Sequence, residues 1–397
     1  MFQCIYFGKK LIFKLCTGKL RRQHKPRYSR NVFRACPEPE FLTAADYAEY
    51  MKSNAGESEG IGVMVSAANV TANGKKTGAL QIVAVTENSP AEEADLRPGD
   101  YIVETLDETT GKWFSLPVTS SASFVSDYYT MLDMVKGAPD SQTHLHILRP
   151  SGGGFLDFPD VAVTRKAIDA KSVYWQISTT DPSVGIIRLT EFNLNTPLQF
   201  KDGMDVMISR GIEKFVIDLR GNPGGDLLSV KAVASFFLKN GDDIVTKVDR
   251  NGKVLTPYHA EVKSYTGAYT PCTMTKEDLG RYRGYDYVVL VDNNTASAAE
   301  ILTSVFRDYE LAPIVGTTTY GKGIVQTFYS LADYGYNGYV KLTSYAYLPP
   351  KGECYHGIGI DPSEGLEVEL RQYNIFLRPE DADNQLQKGL EILNSIR

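Results

Sequence analysis

Tyr287-Val288-Val289-Leu290-Val291-Asp292-Asn293-Asn294-Thr295-Ala296-Ser297-Ala298-Ala299-Glu300 is the stretch that decides the fold. Its valine-rich apolar run reads as a strand buried in a sheet, and a helix is predicted beyond the polar turn, through about Arg307. The same punctuation occurs upstream. Residues 215–219 form a second apolar run, followed by Arg220-Gly221-Asn222-Pro223-Gly224-Gly225 and a helix for which Asp226 is the expected cap. Residues 184–189 read as another strand, with a helix from about Pro197 to Arg210. Strands alternating with helices argue for a layered α/β core. Residues 323–328 and 339–347 read as later strands of the same unit.

The part of the chain before residue 150 has a different rhythm. A short helix over 43–52 is capped by Thr43. Gly60-Ile61-Gly62-Val63 opens a strand, Asn73-Gly74 signals a hairpin turn, and 80–85 is the next strand. Ser89-Pro90 starts a short helix, Arg97-Pro98-Gly99-Asp100 turns the chain, and 101–104 resumes a strand. A helix over 126–135 ends at Gly137, and 144–148 closes the unit. Ser151-Gly152-Gly153-Gly154 reads as an interdomain linker, after which 161–165 leads into the second domain. The division expected is therefore a basic segment 1–36, disordered or atypical; a helical lead-in 37–59; a first domain 60–150; a second domain 151–372; and a C-terminal helical tail 373–397.

Three segments of the second domain carry candidate chemistry. Ser297 sits at a helix start, where unpaired amides and the helix dipole favour a developing negative charge. Ser297 and Glu300 also form the Ser-x-x-Glu capping pattern, and taken alone the segment reads more simply as a cap. Lys322 lies between Gly321 and Gly323 at the entrance to an apolar strand. A buried lysine loses its proton more readily and can serve as a general base, whereas a plain turn lysine is the simpler reading of this segment by itself. A nucleotide-binding Walker loop is excluded, because Gly323 stands where Ser or Thr is needed. Gln326, four residues on, shares a strand face with Lys322. Gly224 and Gly225 can aim backbone amides into a site, or simply turn the chain tightly.

Taken together, Leu219 to Gly225, Ser297-Ala298, and Lys322 with Gln326 resemble the carboxyl-terminal processing (tail-specific) serine peptidase family. The segment from Pro350-Lys351-Gly352 through Gly357-Ile358-Gly359-Ile360-Asp361-Pro362 resembles that family as well. Gly-Ile-Gly-Val, Ser-Pro-Ala-Glu-Glu-Ala-Asp-Leu-Arg-Pro-Gly-Asp and the strand His-Leu-His-Ile-Leu-Arg resemble a PDZ domain of the bacterial protease type, over about 60–150. The resemblance implies an α/β fold in which a PDZ-like module joins a core similar to ClpP and crotonase. It implies that Ser297 attacks the scissile carbonyl, Lys322 acts as its base and Gln326 orients Lys322. The amide of Ala298, with that of Gly224 or Gly225, would form the oxyanion hole. Gly60, Ile61, Gly62 and Val63 would take a substrate's terminal carboxylate while its tail adds as a strand. Partners would be proteins or peptides with free carboxyl termini, with room for a homo-oligomer, in an extracytoplasmic location. Residues 1–34 depart from the family, whose members carry an export signal or anchor there.

Composition limits the alternatives. With 43% hydrophobic and 23% charged residues the chain is that of a soluble globular protein, and its formal charge of -6 gives no global attraction for nucleic acid. No apolar run approaches the roughly 18 residues of a membrane-spanning helix. The stretch from Leu11 to Cys16 is short and broken by Lys14, a poor secretory core. Five cysteines without a Cys-x-x-Cys pair argue against a cysteine zinc site, and Cys272 and Cys354 are read as free thiols. His144 and His146 share a strand face, but with no carboxylate near them in sequence they read as structural. No cofactor and no metal are expected. The competing functions are an inactive relative that only holds tails, and a crotonase-like acyl-transfer enzyme.

Overall fold

The computed structural model describes residues 4–7, 10–13, 39–255, 257–352, 354–370 and 379–395. The two apolar runs are the central strands of a five-stranded sheet. Its order is Val173–Ile177, Val184–Leu189, Lys214–Asp218, Asp286–Val291, Ile314–Gly316. The last four strands are parallel and the first is antiparallel. Both faces are covered, which is why the runs are uninterrupted. Phe215, Ile217, Val289 and Val291 pack with the helices Thr196–Ser209, Leu227–Ser235 and Ala298–Asp308. Val216, Val288 and Leu290 face the other way, against Leu386, Leu390 and Leu393 of helix Asn384–Ser395. That final helix is thus one wall of the core rather than an appended tail.

A second sheet lies beside it, with strands in the order Tyr258–His259, Asp243–Asp249, Gly338–Leu348, Ile324–Ser330. Glu40–Thr43 also pairs with Gly338–Leu348. The helix after it, Ala44–Ala55, starts with a capping box between Thr43 and Asp46 and ends at Gly56 in the left-handed conformation. Its Tyr47 stacks on Tyr339, with ring centroids 3.7 Å apart.

The first module is a twisted antiparallel sheet in the order Gly154–Thr164, Gln142–Ser151, Tyr101–Asp107, Lys75–Val85, Val63–Ala72, with Lys112–Ser115 added to Tyr101–Asp107. The helices Pro90–Glu93 and Phe124–Val135 accompany it. Two expectations need correction here. The glycine run expected to link two domains is a hairpin turn: Ser151 pairs with Gly154, and Gly152 and Gly153 supply φ of +54° and +85°. Residues 161–165 therefore do not lead into the second domain; Val161 and Val163 pair with Leu145 and Thr143. The chain instead enters the module through Glu57–Gly60 and leaves it through Lys166–Asp169. These two crossings pair with each other as an antiparallel ribbon.

Of the basic N-terminal segment, Cys4–Phe7 and Lys10–Phe13 pair as a hairpin, and residues 14–36 lie outside the described residues. Cys272 and Cys354 are both buried free thiols.

Candidate active site

The site is assembled from the turns that follow two neighbouring parallel strands, Lys214–Asp218 and Asp286–Val291. The turns are stitched together by their polar residues. Thr295 donates its hydroxyl to the Leu219 carbonyl at 2.9 Å, the Gly221 amide donates to Asp292 at 2.9 Å, and the Ala296 amide donates to the Asn222 carbonyl at 2.9 Å. Asn222 is fully buried. Its side-chain amide donates to the Leu189 carbonyl at 2.9 Å, and its Oδ1 accepts from the Gly224 amide at 2.8 Å.

Gly224 lies flat against the candidate nucleophile. A Cβ there would stand 2.7 Å from Cβ of Ser297 and 2.8 Å from the Ala298 nitrogen, so no other residue fits. Because Asn222 occupies the Gly224 N–H, the amides of Ala298 and Gly225 are the ones left without a hydrogen-bond partner among the described residues.

Ser297 itself has φ +56°, a left-handed conformation uncommon for serine. Strain of this kind persists only where surroundings over-determine it. Here the determinant is Glu300, which is fully buried. Its Oε2 accepts from the Ser297 amide at 2.8 Å and from the Lys322 amide at 2.8 Å. Its Oε1 accepts from the Gly321 amide at 2.6 Å and the Thr319 hydroxyl at 2.6 Å. Ser297 and Glu300 occupy capping-box positions, and the bond from the Ser297 amide to the Glu300 carboxylate is the half of the box that fixes the Ser297 backbone. Burial raises the Glu300 pKa, against the lowering effect of these four donors. One carboxylate oxygen thus holds the backbones of Ser297 and Lys322 within two hydrogen-bond lengths of each other.

Lys322 is half-buried. Desolvation lowers its pKa and the nearby Lys341 charge adds to that, while Glu300 opposes both. Its amine and the Ser297 hydroxyl share no hydrogen bond among the described residues, a looseness common in ligand-free sites. Gln326 lies on Ile324–Ser330 opposite Thr343, beside a bulge that separates it from Val325, and it makes no hydrogen bond to Lys322. His356 packs on the same loop: a Cβ at Gly323 would meet its backbone nitrogen at 3.0 Å.

The lead-in helix reaches this centre too. Asn54 donates to Asp226 at 3.1 Å, and Asp226 caps the helix that follows the paired glycines. Sequence reasoning missed the bridging role of Glu300, the buried Asn222 and the Asn54 brace. Only the Ser-x-x-Glu spacing pointed toward the first of these.

Arg220, central to the motif, turns away from the site. It is 1% exposed and bonds Asp218, Asp383 and Gln385, while Arg188 approaches Asp218 from the other side. Burial raises the Asp218 carboxyl, but the two guanidinium groups outweigh it and hold the pKa well below the usual range.

On the first module, Gly60 belongs to the ribbon and pairs with Lys166. Ile61 is buried and its carbonyl accepts from the Ala91 amide at 2.8 Å. Gly62 has φ +85°, and a Cβ there would collide with Ser89 at 2.3 Å. The amides of Ile61 and Gly62 have no hydrogen-bond partner among the described residues. Val63 starts the strand Val63–Ala72, which ends the sheet and leaves one edge open. Val63 and Val65 pack in one cluster with Tyr128 and Leu132 of the neighbouring helix, whose Val125 and Tyr129 are exposed.

The histidine pair also differs from expectation, because carboxylates distant in sequence join it. His146 lies between Glu104 at 2.9 Å and Asp157 at 2.8 Å, and His144 meets Asp160 at 2.6 Å. Both ring nitrogens of His146 face acceptors, which requires the imidazolium. Burial lowers its pKa, but the two carboxylates prevail and raise it. Among the described residues no group of three or more His, Cys, Asp or Glu side chains is placed to hold a metal ion.

Comparison with solved structures identifies the fold. A protein of Bacteroides fragilis assigned to the S41 proteases matches with a TM-score of 0.57 at 16% identity, over 87% of this chain and 88% of that one. Residues 183–365 match the model of Peptidase family S41. Among curated relatives, the carboxy-terminal processing protease CtpA of Bacillus subtilis is 28% identical over 86% of this chain and 65% of its own length. A CtpA-like serine protease of Staphylococcus aureus is 29% identical over 85% of this chain and 58% of its own. The chain therefore spans about three-fifths of the length of these relatives. Among the described residues no helix is long and apolar enough to cross a membrane.

Proposed function

We propose that the protein is a serine endopeptidase that cleaves polypeptides near unstructured, apolar carboxyl termini, using Ser297 and Lys322 as a dyad. The observation that carries this reading is the convergence of the Ser297 and Lys322 backbones on Glu300, with Gly224 pressed against Ser297. Ser297 Oγ attacks the scissile carbonyl carbon while neutral Lys322 takes the hydroxyl proton. The negative oxygen is met by the amides of Ala298 and Gly225. Collapse expels the amine, which receives the proton from Lys322. Water then attacks the acyl-enzyme with Lys322 again as base, and Ser297 is restored. Gln326 would orient the amine once substrate fills the site.

The free amides of Ile61 and Gly62, beside the open edge of Val63–Ala72, support capture of a terminal carboxylate by the PDZ-like module, with the tail adding as a strand. The family members named above as carboxy-terminal processing proteases support the same substrate class and, with it, a cell-envelope setting.

The test is cleavage of a flexible peptide ending in apolar residues. Ser297→Ala and Lys322→Ala should each abolish it, and the double variant should be no worse than either, since the two act as one unit. Near-normal cleavage by Lys322→Ala would remove the dyad. Binding of the peptide without cleavage by the wild type would leave a tail-holding protein. The base must be neutral, so activity should rise with pH through the Lys322 pKa. Burial places that limb below the ordinary lysine value of about 10.4.

A further inference from the structure

Beside the candidate site lies a cavity of about 490 Å³, between helix Leu227–Ser235 and strand Asp243–Asp249. Leu228 and Lys231 line one wall and Lys247 another, and Tyr258, His259, Glu261 and Lys263 are among the residues that complete it. It is tied to both halves of the site. Leu228 lies on the helix that Asp226 caps, directly after Gly224 and Gly225. Lys247 pairs with Tyr347, whose amide donates to the carbonyl of Gly323, the residue after Lys322, at 2.9 Å.

Its charge is unbalanced. Three lysines, Lys231, Lys247 and Lys263, line it with one carboxylate, Glu261, which lies 2.6 Å from Lys231 and 3.8 Å from Lys263, while the lining His259 meets Asp243 at 2.7 Å. Lys247 has no carboxylate within ion-pair distance among the described residues. Its ammonium is held between two rings, 4.8 Å from the centroid of Tyr258 and 4.9 Å from that of Tyr345. Aromatic walls fix a cation without neutralising it. A chain with a net charge of -6 has thus left Lys247 uncompensated in a concavity joined, through Leu228 and Tyr347, to the segments that carry the candidate residues.

We propose that this cavity is a subsite for a carboxylate of the polypeptide substrate, with Lys247 as its specificity-determining residue. The proposal rests on the peptidase reading above. The carboxylate has two sources, an Asp or Glu side chain near the scissile bond or the terminal carboxylate of a short tail.

The experiment walks a single glutamate, against glutamine as control, along an otherwise neutral peptide. Each pair is made as free acid and as terminal amide. In the wild type one position should favour glutamate by about fivefold in kcat/KM, the scale of one partly screened ion pair. Lys247→Met, which keeps the apolar stem, should bring that ratio to about one. Lys247→Glu should reverse it and favour lysine at the same position. If the preference follows the free terminus rather than the side chain, the ligand is the terminal carboxylate. Equal rates at every position and terminus, or a glutamate preference that survives Lys247→Glu, overturns the subsite. Should no peptide be cleaved, the same peptides are titrated against Ser297→Ala. The glutamate preference must then appear in binding and vanish on adding Lys247→Met, so loss of the peptidase reading and loss of the subsite are separate outcomes.

Discussion

Glu300 shows how much of a reactive centre can hang on a side chain that does no chemistry. Its four donors come from two loops, and glutamine cannot replace it. An amide has one accepting oxygen, and in either orientation its NH2 end would confront at least one backbone N–H, Gly321 on one side or Ser297 and Lys322 on the other. Glu300→Gln should lower kcat at least about tenfold, given hydrogen bonds to charge worth roughly 1.5–3 kcal/mol each. Its charge also raises the Lys322 pKa, so removing it should shift the ascending limb of the pH–rate profile to lower pH. A residue that merely supported the fold would leave that limb where it is. The Ser-x-x-Glu spacing was legible as a helix cap. The other donors, at 319–322, are brought to Glu300 only by the pairing of strands, and no local pattern announces them. The candidate residues themselves stood out in the sequence because glycines and a lysine interrupt apolar runs where solvation does not explain them.

Elements were legible in proportion to how completely they are buried. The strands Lys214–Asp218 and Asp286–Val291 stood out because helices cover both faces. Asp243–Asp249 did not, because it is only partly buried and carries alternating charges. The glycine run reads as a linker and is a hairpin turn, since a glycine-rich stretch does not say what it joins. Replacing Gly152 with Asn, which tolerates the same backbone conformation, should therefore leave cleavage of tailed peptides unchanged. Arg220 belongs to this scale because it fastens the sheet to the final helix. Arg220→Ala removes the cation shared by two buried carboxylates, leaving Asp218 with Arg188 alone and Asp383 without its guanidinium, and should cost about 3 kcal/mol, read as a fall in Tm. The Asp218 carboxyl is depressed in the folded state. It thus contributes stability above its unfolded pKa of about 3.9, lost as pH falls toward the folded value. The variant should begin to unfold at a higher pH than the wild type during acid titration.

At the scale of the whole molecule, an open sheet edge and a layered core similar to Peptidase family S41 are joined in one chain. If tails are held by their carboxylate, amidating a peptide's terminus should weaken cleavage at sub-saturating concentration, and apolar terminal residues should outperform charged ones. Equal rates for acid and amide would leave the core working without the module. The connection between the two parts sets what kind of cooperation is open to them. A single glycine tether would let the module swivel freely and offer a captured tail at any angle. Two crossings, Glu57–Gly60 and Lys166–Asp169, hydrogen-bonded side by side, behave instead like the leaf of a door hinge. Such a leaf permits swinging and resists spinning. A tail pinned at Ile61 and Gly62 would then travel along one arc, and the distance from its end to Ser297 would be a property of the protein rather than of the substrate. The first cut should fall at a nearly constant number of residues from the terminus, whatever the sequence between, as mass spectrometry of early products from tails of different composition would reveal.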